Sequence, residues 1–111
     1  MSDIKVNEDQ WNQLSDDTKK QIEELINTSF KPKERISVKP DAQTPPAEGE
    51  SGSPRETIGF SLCAKVCLER EIAAIAECKS QFKPGKERAM CISAAQEAYE
   101  GCVIDCPEGP E

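Results

Sequence analysis

The 111-residue chain is 36% hydrophobic and 32% charged, with one Trp, one Tyr, three Phe and no His, so it supports at most one small domain with appendages. Its formal charge of −7 argues against nucleic acid and anionic lipid as partners, because both are bound through a basic face. No apolar run approaches the length of a membrane span.

Residues 1–8 read as frayed or disordered. The first ten, Met1 to Gln10, are acidic and lack the basic and apolar regions of a secretory signal. From Asn7 to about Phe30 the apolar residues recur at helical spacing, with Trp11 and Leu14, then Ile22, Leu25 and Ile26. Ser15 followed by Asp16 and Asp17 is an internal cap, so two short helices fit better than one. The apolar side of the second is only about two turns long and is marginal alone. Residues 1–30 therefore form a weakly helical arm whose apolar side is suited to recognition by a partner. Residues 31–52 hold Pro32, Pro40, Pro45 and Pro46 with Gly49 and Gly52, a linker composition. Within it, Ile36-Ser37-Val38 is suited to a brief extended stretch.

Residues 53–111 carry all six cysteines. Ser53-Pro54-Arg55-Glu56 is a helix start with a capping box and proline at the first helical position. That helix runs through Cys63 and Cys67 to about Gln81, and Lys83-Pro84-Gly85-Lys86 forms the turn. A second helix runs to Cys106, where Pro107, Gly109 and Pro110 end it. The cysteine gaps are palindromic: C-x3-C, x10, C, x12, C, x10, C-x3-C. Paired first with last, the position numbers sum to 169 in every case. Two antiparallel helices require such constant sums, and steps of 4 and 11 return to the same helix face. The spacing predicts disulfides Cys63–Cys106, Cys67–Cys102 and Cys78–Cys91. The same register sets Ala74 opposite Ala95, allowing the close backbone approach that bridged cysteines need. The fold class expected is all-α: a two-helix hairpin stapled by three disulfides, with a mostly disordered or weakly helical N-terminal arm.

To one side of the cysteine seam lie Leu68, Ile72, Ile75 and Phe82 on the first helix, with Ile92, Tyr99 and Val103 on the second. A two-helix hairpin has no third layer to bury this face. It is therefore expected to bind a protein partner, or to be covered by the N-terminal helix through Ile22, Leu25 and Ile26. Metal is not expected, because zinc sites favour close C-x2-C knuckles and histidine. Catalysis and cofactors are not expected either. There is no histidine, no glycine-rich phosphate loop and no nucleophile with an evident base, and the carboxylates are spread as solvated charges usually are.

The cysteine pattern resembles the coiled-coil-helix-coiled-coil-helix proteins of the mitochondrial intermembrane space, in which twin C-x9-C motifs staple a helical hairpin. Cys67, Cys78, Cys91 and Cys102 occupy the twin-motif positions, here with x10 intervals. Cys63/Cys67 and Cys102/Cys106 are also similar to the paired C-x3-C motifs of plant α-hairpinins. The first half, with Leu14-Ser15, an acidic amphipathic helix and a Pro/Gly linker, looks like the leader of a bacteriocin-type ribosomal peptide precursor. That resemblance implies that a maturation enzyme or exporter reads Trp11, Leu14, Ile22, Leu25 and Ile26. The function expected first is a non-enzymatic exported peptide precursor, with residues 1–52 as leader and linker and the hairpin as product. It would be secreted, or delivered to another oxidising compartment, by a non-standard route. The alternative is an intermembrane-space-like adaptor or assembly factor that keeps its N-terminal arm.

Overall fold

A computed structural model describes residues 3–32, 34–44 and 62–104. The chain opens with strand β1 (Asp3–Asn7), followed by α1 (Glu8–Asn12) and α2 (Asp16–Phe30). Strand β2 (Ser37–Asp41) completes a first unit. Helices α3 (Leu62–Gln81) and α4 (Lys86–Ile104) form the second.

The strands pair in parallel, with Asp3 opposite Ser37 and Asn7 opposite Asp41. Parallel neighbours need a long crossover, which α1 and α2 supply. Along β1 the side chains alternate, with Ile4 and Val6 buried and Asp3 and Lys5 exposed. Ile4 sits opposite Val38, also buried. Pro40 is tolerated because, among the described residues, β2 has a strand neighbour on one side only.

Local chemistry fixes several of the boundaries. The Asn7 side chain caps α1 by accepting from Gln10 N at 3.0 Å, while its Nδ2 donates to Thr44 O at 2.9 Å. Ser15 caps α2 by accepting from Thr18 N at 3.1 Å, with Asp16 and Asp17 at the positive end of the helix dipole. Lys31 ends α2 in the left-handed region at φ 47° and donates its N–H to Asn27 O at 3.0 Å. Arg88 closes the turn between α3 and α4, donating to Phe82 O and Lys79 O at 2.9 Å each. Gly85, at φ 145°, takes a backbone conformation that a side chain would strain.

Helices α3 and α4 are joined by Cys67–Cys102 and Cys78–Cys91, with Cα atoms 5.8 and 5.6 Å apart. Ala74 and Ala95 are fully buried, as close backbone approach requires. These are the two disulfides among the described residues. The expected Cys63–Cys106 pair, like the expected helix start at Ser53 to Glu56, involves positions outside them.

The N-terminal arm departs most from expectation. It is neither disordered nor all-α: residues 3–7 form a strand, and the stretch at Ile36–Val38 leads into its parallel partner. The structure is mostly helical with a small two-stranded sheet. The physical reason lies in the packing. Ile4, Val6, Trp11, Leu14, Ile22, Leu25, Ile26 and Phe30 share one buried cluster with Ile75, Phe82, Met90, Ile92 and Tyr99. A helix marginal in isolation is stabilised once its apolar side is buried against α3 and α4.

Candidate functional site

The lateral face of the hairpin is the surface on which the two units meet. Helix α2 packs on α3 and α4, and β1 packs on α4. Of the seven residues expected to form a partner face, Ile75, Phe82, Ile92 and Tyr99 are buried, and Leu68 and Val103 are partly buried against the same cluster. Ile72 is left 48% exposed. The five residues expected to be read in a leader, Trp11, Leu14, Ile22, Leu25 and Ile26, are all buried. The structure thus places the two predicted recognition surfaces in one core, with Ile22, Leu25 and Ile26 in the same cluster as the hairpin residues.

Polar ties run mainly within each unit. In the N-terminal unit Ile36 N donates to Asn27 Oδ1 at 2.7 Å, and Val38 N donates to Glu23 Oε2 at 3.1 Å. Arg35 donates to Glu23 at 3.1 Å and to Glu24 at 3.2 Å. The hydrogen bonds to Glu24 and then Glu23 hold its guanidinium more firmly protonated than usual. Asp41 accepts from Gln43 N at 3.0 Å, which, with Thr44 Oγ1 and nearby Lys5, holds its carboxyl below the usual range. Between units, the side-chain hydrogen bonds among the described residues are two. Arg70 Nη1 donates to Phe30 O at 2.7 Å, and Gln21 Nε2 donates to Gln81 Oε1 at 3.0 Å. Gln81 Nε2 in turn donates to Glu77 Oε1 at 3.0 Å.

An open groove of about 780 Å³ lies between α2 and α3, lined by Asp17, Lys20, Glu24, Lys31 and Glu77 together with Leu25 and Ala73. Among the described residues no group of three or more His, Cys, Asp or Glu is placed to hold a metal ion.

Glu71 departs from the reading of the carboxylates as solvated: it is fully buried. The cysteine arithmetic carries the signal that was missed, since Glu71 follows Cys67 by one helical turn and precedes Ala74 and Cys78 on the seam. The exposed large apolar side chains among the described residues are Leu62, Val66 and Ile104 at the open end of the hairpin, with Ile72 on the outer side of α3.

Comparison with known proteins finds no matching family model, no matching curated protein and no matching solved structure. What the molecule does is therefore read from its own geometry.

Proposed function

We propose that this is a non-enzymatic, disulfide-stapled binding protein that works as an intact chain, an adaptor or assembly factor whose helical hairpin engages a protein partner. The carrying observation is the burial of Ile22, Leu25 and Ile26 in one cluster with Ile75, Ile92 and Tyr99. A leader destined for removal has no need to complete the core of its product, whereas a retained arm does. The two disulfides fit an oxidising compartment. No helix among the described residues is long and apolar enough to cross a membrane.

The precursor reading draws support from a different observation. Each unit is held by its own bonds, and the sequence between them contains Pro45, Pro46, Gly49 and Gly52. Cutting there would separate leader from hairpin without breaking a disulfide, since every cysteine lies beyond it. Intact-mass measurement of the natural product under non-reducing conditions decides between the two. An oxidised chain of residues 1–111 supports the adaptor. A product beginning within residues 45–61 sinks that reading in favour of the precursor.

A further inference from the structure

Among the described residues each unit carries bonds of its own. The hairpin is closed by Cys67–Cys102, Cys78–Cys91 and the Arg88 contacts at its turn. The N-terminal unit is closed by its sheet register and by the Asn27, Glu23 and Arg35 bonds. What joins them is mainly apolar, beside the Arg70–Phe30 and Gln21–Gln81 hydrogen bonds: α2 presents Ile22, Leu25, Ile26 and Phe30, spaced i, i+3, i+4 and i+8, to a face that includes Ile75 and Ile92. Such spacing is how an amphipathic helix is read in a hydrophobic groove.

We infer that the lateral face of the hairpin is a docking site for an amphipathic helix of a protein partner, and that α2 occupies it in cis as an intramolecular stand-in. This rests on the proposed binding function and adds both the chemistry of the partner and its regulation. The partner helix carries large apolar residues at i, i+3, i+4 and i+8, because that pattern is the one seated on the face. It competes with the N-terminal unit, which leaves as one body because β1 also packs on α4. While the cover is seated, only the small open fraction binds, so the apparent affinity falls by that fraction. Displacing the cover breaks two side-chain hydrogen bonds among the described residues and no disulfide.

The test uses the full oxidised chain with a specific protease site inserted after Gly49. A fluorescently labelled peptide spanning residues 15–31 is titrated into the uncut and the cut protein, and anisotropy is read. Trp11, the one tryptophan of the chain, reports departure of the cover by a red shift of its emission. The cut protein should bind the peptide at least about tenfold more tightly than the uncut one, with helical circular dichroism retained, as expected when the competing segment is no longer tethered. A peptide carrying Ile22→Glu and Ile26→Glu should not bind. Equal or absent binding in the cut protein overturns the inference. So does loss of helical signal on cutting, which would make the face a core shared by inseparable halves. If Trp11 stays buried after cutting, the same titration is run on cut protein carrying Ile26→Ala, which loosens the cover. No binding there is also fatal. The adaptor reading falls separately, on a processed natural product, whatever the titration gives.

Discussion

Asn27 and Ile36 are joined by two hydrogen bonds of opposite direction: Ile36 N donates to Asn27 Oδ1 at 2.7 Å, and Asn27 Nδ2 donates to Ile36 O at 2.9 Å. The same Nδ2 reaches Glu23 O at 2.8 Å. One amide side chain thus imitates a strand neighbour and steers the chain from the left-handed Lys31 into β2. Asn27→Ala should destabilise the protein by about 1–3 kcal/mol, because it leaves part-buried backbone groups without partners. Asn27→Asp keeps the acceptor for Ile36 N but turns a second acceptor toward Ile36 O, and should recover less than half of the loss. Urea unfolding followed by Trp11 fluorescence measures both, and a neutral Asn27→Ala would refute this role.

Neighbouring isoleucines on α3 separate core from surface. Ile75 is 3% exposed and Ile72 48%. Ile75→Glu buries a charge among apolar side chains and should cost several kcal/mol or prevent folding. Ile72→Glu should change stability by no more than about 0.5 kcal/mol. Thermal unfolding of the pair tests the assignment, and similar melting temperatures would contradict it.

The two disulfide loops are nested, Cys78–Cys91 lying inside Cys67–Cys102. The sequence separations are 13 residues for Cys78–Cys91 and 35 for Cys67–Cys102. Chain entropy assigns about 3 kcal/mol to the shorter and somewhat more to the longer, less whatever constraint the other bond already provides. Replacing Cys78 and Cys91 by serine should therefore lower unfolding free energy by about 3 kcal/mol, with a comparable loss for Cys67 and Cys102. Non-reducing peptide mapping should recover both links. A Cys63–Cys67 peptide would break the register on which the hairpin rests.

Acid should weaken the corner after β2. The Asp41 carboxyl is held below its usual value chiefly by the Gln43 N–H, with help from Thr44 and Lys5. A depressed folded-state value means that its contribution is complete above the unfolded-state pKa. It is lost as pH falls through the folded one. The group is only half-buried at the end of β2, so the effect is local. An NMR titration of the Asp41 carboxyl should find a midpoint below that of an unstructured peptide, and Thr44→Val should move it upward. A midpoint at the ordinary value would remove the basis for the prediction.

The parts of the fold legible in the sequence were those written as spacing or as a cap. Constant sums placed Cys67 opposite Cys102 and Cys78 opposite Cys91, because antiparallel helices turn register into arithmetic. Ser15 with two aspartates marked the break between α1 and α2 for equally local reasons. Strand β1 was not legible: Ile4 and Val6 make one short alternation, and the partner that stabilises it, Val38, lies far along the chain. Parallel pairing leaves no hairpin turn as a signal between the strands. The apolar faces of α2 and of the hairpin were each visible, and their contact was foreseen as one of two outcomes. Neither pattern states which surface it will meet. Glu71 was missed because composition favours solvated glutamates, although its position on the seam pointed inward.

The pairing of Asp3–Asn7 with Ser37–Asp41 also sets an order of events during synthesis. Every residue of that sheet and of α2 precedes Cys63, so the first unit is complete in sequence before any thiol leaves the ribosome, and chains fold from the N-terminus as they emerge. Helices α3 and α4 then meet a segment whose apolar side has no cover until they arrive, so the two faces order as they are buried together. Burial of that side with Ile75, Ile92 and Tyr99 suits one register of the two helices. Of the pairings open to Cys67, Cys78, Cys91 and Cys102, that register favours the one that joins Cys67 to Cys102 and Cys78 to Cys91.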